Sequence, residues 1–181
     1  NTYDAAIDLT GDFGFANPMG VGNLVFIDAN TNGHYDAGEG VEGVTVDLYR
    51  SADTPGAAPP VSSQVTDADG HYLFDYLLAG SYFVHIAATE FNTGGPLEGK
   101  ISVAGAGGAG VDDSADENGM DDGAPIINGI RSTTFTLANN TSPTNATGET
   151  GYLASEDSRD DNNYDLTIDL GFRPPDPNAV G

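Results

Sequence analysis

The strongest local signal is Asp28-Ala29-Asn30-Thr31-Asn32-Gly33-His34-Tyr35-Asp36-Ala37-Gly38-Glu39. It satisfies D-x-[DN]-x-[DN]-G-x5-E at every specified position. Calcium is a hard cation that takes about six to eight oxygen ligands. This spacing supplies them from one short loop: side chains of Asp28, Asn30, Asn32 and Asp36, the His34 carbonyl, and both oxygens of Glu39. Gly33 falls where the loop turns sharply and a positive φ is needed. The expectation is a structural calcium loop.

A second run, from Asp112 to Gly123, packs six carboxylates into twelve residues and would repel itself if held compact without cations. Asp116, Asn118, Gly119 and Asp122 follow the spacing of loop positions 3, 5, 6 and 9, but Ser114 replaces the leading acid. Asp112, Asp116, Asn118 and Asp122 are therefore the candidate ligands of a second calcium ion, with a solvated acidic loop as the alternative. A third acidic run, 156–165, contains Arg159 and has no ordered ligand spacing. In Asp67-Ala68-Asp69-Gly70, Asp69 reads mainly as a turn residue, while Asp67 is a lesser candidate for reaching a shared ion.

Composition limits what else the chain does. Asp and Glu number 28 against 5 Lys and Arg, a formal net charge of -23, so phosphate backbones and anionic lipid surfaces are repelled. No nucleic-acid partner is expected, and no apolar run is long enough for direct membrane insertion. With no Cys there is no disulfide, thiolate metal site or cysteine nucleophile. His34, His71 and His85 lack a common spacing, and the absence of Trp removes the usual aromatic platform of a glycosidase cleft. The chain is read as non-enzymatic.

The elements that must carry these loops are strands. Gly or Pro interrupts nearly every window long enough for three helical turns, whereas alternation of period two recurs. Val44, Val46 and Leu48 share one face, as do Tyr72, Phe74 and Tyr76, and Tyr82, Val84 and Ile86. The last two runs, joined by Leu77-Leu78-Ala79-Gly80, read as a hairpin. Further strands are expected at 22–27, 61–66, 100–104, 132–138 and 164–172, with long loops at 54–60, 105–123 and 139–163. The fold class is all-β, a β-sandwich. The expected division is an N-terminal extension over 1–20, the sandwich domain over 21–173, and a Pro-rich tail over 174–181.

The two ends of the chain repeat each other. Residues 1–9 laid over 162–170, an offset of 161, agree at six of nine positions. Gly14-Phe15 and Gly171-Phe172 follow in turn. Tyr3, Ala5, Ile7 and Leu9 form one apolar edge, as Leu166, Ile168 and Leu170 do in the other copy. A strand copied in this way can be donated to a second copy of the chain, and head-to-tail donation builds a homopolymer.

Gly22-Asn23-Leu24-Val25-Phe26-Ile27-Asp28 running into the calcium pattern, Gly43 to Tyr49, Thr66 to Phe74, Leu78 to Val84 and Asp165 to Phe172 together resemble a known family. They are similar to the calcium-binding B-type repeat domains of serine-aspartate repeat surface adhesins, with Cna-B-like relatives. The resemblance spans about residues 22–172. It implies an immunoglobulin-like sandwich with Greek-key connections and long calcium-binding loops, two or more structural Ca2+ ions, and an extracellular, cell-surface location. Some relatives form Lys–Asn cross-links, but the single lysine, Lys100, is not expected to form one. Two functions fit: a calcium-stabilised subunit of a filament or matrix polymer assembled by β-strand donation, or a spacer module of a large adhesin. Asn139, Asn140 and Asn145 each open an N-x-S/T glycan-acceptor pattern compatible with both.

Overall fold

The computed structural model describes residues 17–32, 35–102, 118–120, 122–142 and 161–175. Within them the strands are β1 (Met19–Ile27), β2 (Thr45–Arg50), β3 (Ser62–Val65), β4 (His71–Leu77), β5 (Gly80–Ile86), β6 (Ile101–Ser102), β7 (Ile130–Arg131), β8 (Phe135–Leu137), β9 (Tyr164–Asp165) and β10 (Leu170–Arg173). A single-turn helix, α1 (Pro125–Asn128), precedes β7. One sheet has the order β4-β1-β10-β6, with β9 also on β1; the other has β3-β2-β5-β7, with β8 also on β5.

One apolar cluster draws on both sheets, which makes the arrangement a sandwich. Val21, Val25, Phe74 and Phe172 come from the first sheet and Val46, Leu48, Val84 and Ile86 from the second. Fully burying a side chain of this kind contributes about 1.5–3 kcal/mol. Strand β1 is buried along all but its last residue because it has neighbours on both sides, antiparallel β4 and parallel β9 and β10. At Gly22 the β4 backbone comes so close that a Cβ would lie 2.2 Å from the Tyr72 carbonyl oxygen. The wholly buried Tyr72 hydroxyl donates to the Ile168 carbonyl (2.6 Å). Burial, then the Asp169 and Asp165 carboxylates, hold that phenol well above its ordinary pKa, so it stays a donor.

Two connectivities differ from the sequence reading. The runs at 72–76 and 82–86 are strands, but not a hairpin: β4 pairs with β1 and β5 with β2, so the turn between them crosses from one sheet to the other. Tyr76 breaks the alternation there, with φ 58° and 79% of its surface exposed. The Asp69-Gly70 turn likewise links β3 and β4 across the sandwich instead of closing a hairpin. Alternation says which face a strand buries and nothing about its neighbour.

The expected single strand over 164–172 is also split. Asp165 accepts from both the backbone N–H and the hydroxyl of Thr167, at 3.2 and 2.6 Å. Residues 166–169 are buried without belonging to a strand. The segment at 132–138 breaks similarly, because the Ser132 hydroxyl accepts from Val84 N–H (3.1 Å) and donates to the Thr133 carbonyl (2.8 Å).

His85 on β5 is 8% exposed, pairs across strands with Asp47 and Arg131, and stands edge-on to Tyr49 at 6.0 Å. Its Nε2 faces the Asn128 carbonyl at 3.2 Å. Burial lowers its pKa from 6.5; the Asn128 contact and Asp47 oppose this, and Arg131 adds to it. Below about pH 6.5 the unfolded chain therefore takes up a proton that the native chain resists, and stability falls as pH drops toward the folded value. In urea titrations between pH 7.5 and 5.5, the stability advantage of the parent chain over His85→Gln should shrink as pH falls. A pH-independent difference would remove His85 as the cause.

Candidate metal centre

The twelve-residue loop hangs from the end of β1 and is anchored before it leaves the first sheet. Ile27 N–H donates to the Glu39 carbonyl and Val41 N–H to the Val25 carbonyl, both at 2.9 Å; Asp28 N–H donates to the Phe172 carbonyl at 2.8 Å. Both ends of the loop are thereby tied to the strand that enters it and to β10. At its exit, Gly40 lies so close to the next turn that a Cβ would sit 1.8 Å from the Asp69 carbonyl oxygen. Gly70, at φ 87°, follows directly, and its carbonyl accepts from Val25 N–H at 2.9 Å.

Five of the six predicted ligands are brought together; His34 lies outside the described residues. Asp28 is 1% exposed, and its Oδ1 accepts from Asn32 N–H (3.1 Å). Asn30 Oδ1 accepts from the same N–H at 2.9 Å. The carboxamides of Asn30 and Asn32 both donate to Asp36 Oδ2, at 2.6 and 2.9 Å. Glu39 spans the loop, Oε1 accepting from Ala29 N–H and Oε2 from Asp36 N–H, each at 2.9 Å.

The donor chemistry fits a hard cation: three carboxylates and two carboxamides, with neither sulfur nor imidazole among the side chains. In this hydrogen-bonded form the asparagines link the carboxylates. Among the described residues no three Asp, Glu, His or Cys groups converge as a ready-made metal cluster. Two amide N–H groups thus converge on one carboxylate oxygen, Asp36 Oδ2. A half-turn of each carboxamide exchanges Nδ2 for Oδ1 and converts two donors into two ligands.

Of the second predicted site, Asn118 and Asp122 fall among the described residues. Asp112 and Asp116 lie outside the described residues. Asn118, 2% exposed, bridges toward the first sheet: its N–H donates to the Asp169 carbonyl and its Oδ1 accepts from Asp169 N–H, both at 2.7 Å. Asp122 is engaged by the start of α1, accepting from Ala124 N–H at 2.7 Å and from the Asn128 carboxamide at 3.0 Å. The two residues thus face different partners. The bonds seen at these two residues tie Asn118 to Asp169 and Asp122 to the segment around α1.

Asp67 organises its turn. Its Oδ1 accepts from Asp69 N–H (3.0 Å) and His71 N–H (2.9 Å), so the turn-forming side chain is Asp67 and not Asp69. An Asx-type bond two residues on is the local signal that identifies such a residue. The Asn118–Asp169 tie had no local signal in the sequence.

Comparison with known proteins agrees with this architecture over the first part of the chain. Residues 19–101 match the SdrD B-like domain. This interval holds the whole loop and strands β1 to β5, and stops well before the closing segment at 164–173. A 79-residue stretch is 39% identical to colossin-A of Dictyostelium discoideum, and 77 residues are 36% identical to colossin-B of the same organism. Each alignment covers 40% of this chain but only 1% and 2% of those proteins, so the chain spans a very small part of their length. SdrD B-like domains are non-catalytic repeat modules typical of cell-surface proteins, and they commonly bind calcium.

Because Glu39 holds two backbone N–H groups, Glu39→Ala should loosen the loop even without an ion. A hydrogen bond to a charged group contributes about 1.5–3 kcal/mol, so hydrogen-exchange protection of the Ala29 and Asp36 amides should fall by roughly tenfold or more. The Ile27 amide, bonded to the Glu39 carbonyl, should keep its protection. Unchanged exchange at Ala29 and Asp36 would show that Glu39 does not organise the loop.

Proposed function

We propose that the chain carries a calcium-stabilised, immunoglobulin-like module with Greek-key connections, serving as a spacer in a larger cell-surface protein. The match of residues 19–101 to surface repeat modules is the observation that supports this most. In this reading Asp28, Asn30, Asn32, Asp36 and Glu39, with the His34 carbonyl, hold one Ca2+. The Asp112–Asp122 run contributes to another through residues beyond those already bonded elsewhere.

When bound, calcium supplies positive charge at the mouth of a loop whose carboxylates otherwise share amide hydrogens. The chain does the rest. Its own bonds from Ile27, Asp28 and Val41 fix both ends of the loop against the sandwich, so ion binding is coupled to the fold and not to a free loop. At millimolar calcium, a site with a dissociation constant of about 10⁻⁴ M stabilises by roughly 1.4 kcal/mol. For a chain of this size that is about 3–6 °C in melting temperature per site. A chelator at low salt should lower the melting temperature by at least this amount, and Glu39→Ala should remove the share due to the loop. A melting temperature indifferent to chelation rules the calcium reading out.

A second reading, strand donation into a neighbouring copy, is favoured by the terminal repeat. In the closing copy, Tyr164, Leu166, Ile168 and Leu170 are all at most 2% exposed, so this sequence is of a kind that buries itself in the sandwich. Residues 1–15, outside the described residues, would then enter the next subunit with Tyr3, Ala5, Ile7 and Leu9 facing its core. A head-to-tail contact of that type propagates as a filament. Sedimentation with calcium should find the chain lacking residues 1–15 folded and monomeric, and the full chain assembled. A full chain that stays monomeric at high concentration leaves the spacer function alone.

A further inference from the structure

The chain contains three N-x-S/T patterns, at Asn139, Asn140 and Asn145, all within nine residues of one another after β8. The first two overlap in a turn that the structure describes. Asn139, Asn140 and Thr141 are exposed there, beyond the buried Leu137 that ends β8. Asn140 takes φ 57°, and its N–H donates to the Asn163 side chain at 2.8 Å; Ser142 N–H donates to the Asn162 carbonyl at 2.9 Å. The turn is pinned to the start of the closing segment and faces outward.

We propose that Asn139 in this turn is an N-linked glycan attachment site. Its Oδ1 accepts from the Asn17 carboxamide at 2.9 Å, which orients the amide through its oxygen and leaves Nδ2, the atom a glycan uses, without a hydrogen bond among the described residues. The Thr141 hydroxyl required by the pattern is present, donating to the Ala138 carbonyl at 2.9 Å. Attachment at Nδ2 removes one amide hydrogen and retains the oxygen acceptor, so the Asn17 contact survives. The overlapping acceptor Asn140 is less suited: its backbone is in the left-handed region, its third residue Ser142 is half-buried, and Pro143 follows directly.

The group transfer needs a polyprenyl diphosphate-linked oligosaccharide and an oligosaccharyltransferase. Asn139 Nδ2 attacks the anomeric carbon, the carbon–oxygen bond to the lipid diphosphate breaks, that leaving group takes the electron pair, and the amide gives up a proton. The product is a glycosylated asparagine and a free lipid diphosphate. The inference does not depend on the spacer or polymer reading, since the transfer can be tested in vitro on the purified chain.

The test offers the full chain, and separately a peptide of residues 136–143, to a single-subunit oligosaccharyltransferase with its lipid-linked donor. Sites are mapped by enzymatic deglycosylation in heavy-oxygen water and peptide mass spectrometry. Transfer to Asn139 is expected in both, abolished by Asn139→Gln and by Thr141→Ala and kept in Asn140→Gln, with the melting temperature of the glycosylated chain unchanged. Three results overturn the proposal: a peptide that is modified while the full chain is not, a glycan mapping to Asn140, or no transfer to either substrate.

Discussion

The structure depends on β1 having a partner on each side. Met19–Ile27 is antiparallel to β4 along one edge and parallel to β9 and β10 along the other, so the first and last parts of the described chain close the same sheet. The consequence for the loop is direct. Asp28 is the first residue after the strand, and its N–H is held by Phe172 of β10, so the leading carboxylate of the motif is placed by the last strand in the chain. A one-residue slip of β1 would turn its side chains to the opposite faces of the sheet and carry Asp28 out of reach of that bond. Loop geometry and sandwich closure are therefore one constraint.

Where the ladders stop, buried polar side chains take over the backbone groups that would otherwise be orphaned. Thr66 accepts from Val44 N–H and donates to the Val41 carbonyl, at 2.9 and 2.6 Å, tying the exit of the loop to the end of β3. Asn118 does this for Asp169, Ser132 for Val84, and Asp165 for Thr167. Each pairing satisfies a backbone group at a point where a ladder stops, as buried backbone groups require. Asp165 illustrates the cost: burial raises its carboxyl pKa, and the two Thr167 bonds pull it back only in part. These residues explain why a sandwich with so many short strands still has a single continuous core.

The same residues mark what was legible beforehand. Alternation found the strands around Val46, Tyr72, Tyr82 and Leu170, because side-chain period is a local property. The loop over 28–39 is a local pattern of the same kind: its six candidate ligands lie within twelve residues, and hydrogen bonds link five of them. Pairing between strands was not legible, since alternation cannot distinguish a hairpin from a crossover, and β4 with β5 was read as the former. The spacing of Asn118 and Asp122 suggested ligands, yet the partner of Asn118 is 51 residues away and that of Tyr72 is 96 away. Contacts at that separation are set by how the sheets stack, which no short window contains.

Charge gives the fold its remaining asymmetry. With 28 acids against 5 bases, side-chain cations are too few to neutralise the carboxylates, and two of those cations are used elsewhere. Arg131 lies 3.9 Å from the centre of the Phe83 ring, and Arg50 lies 5.7 Å from that of Tyr82. The His71–Asp67 contact at 3.6 Å involves a carboxylate that is 56% exposed, where screening leaves little net gain. Most acids are therefore compensated by water, by backbone N–H groups or by ions from solution. In the 28–39 loop the backbone supplies this compensation: Asn32, Ala29 and Asp36 each give an N–H to a carboxylate of the motif. A loop arranged in this way already holds its carboxylates near one another against their repulsion. Under the calcium reading proposed above, a divalent cation would enter a loop whose two ends are already tied to the sandwich, so that part of the ordering entropy of binding is spent in folding.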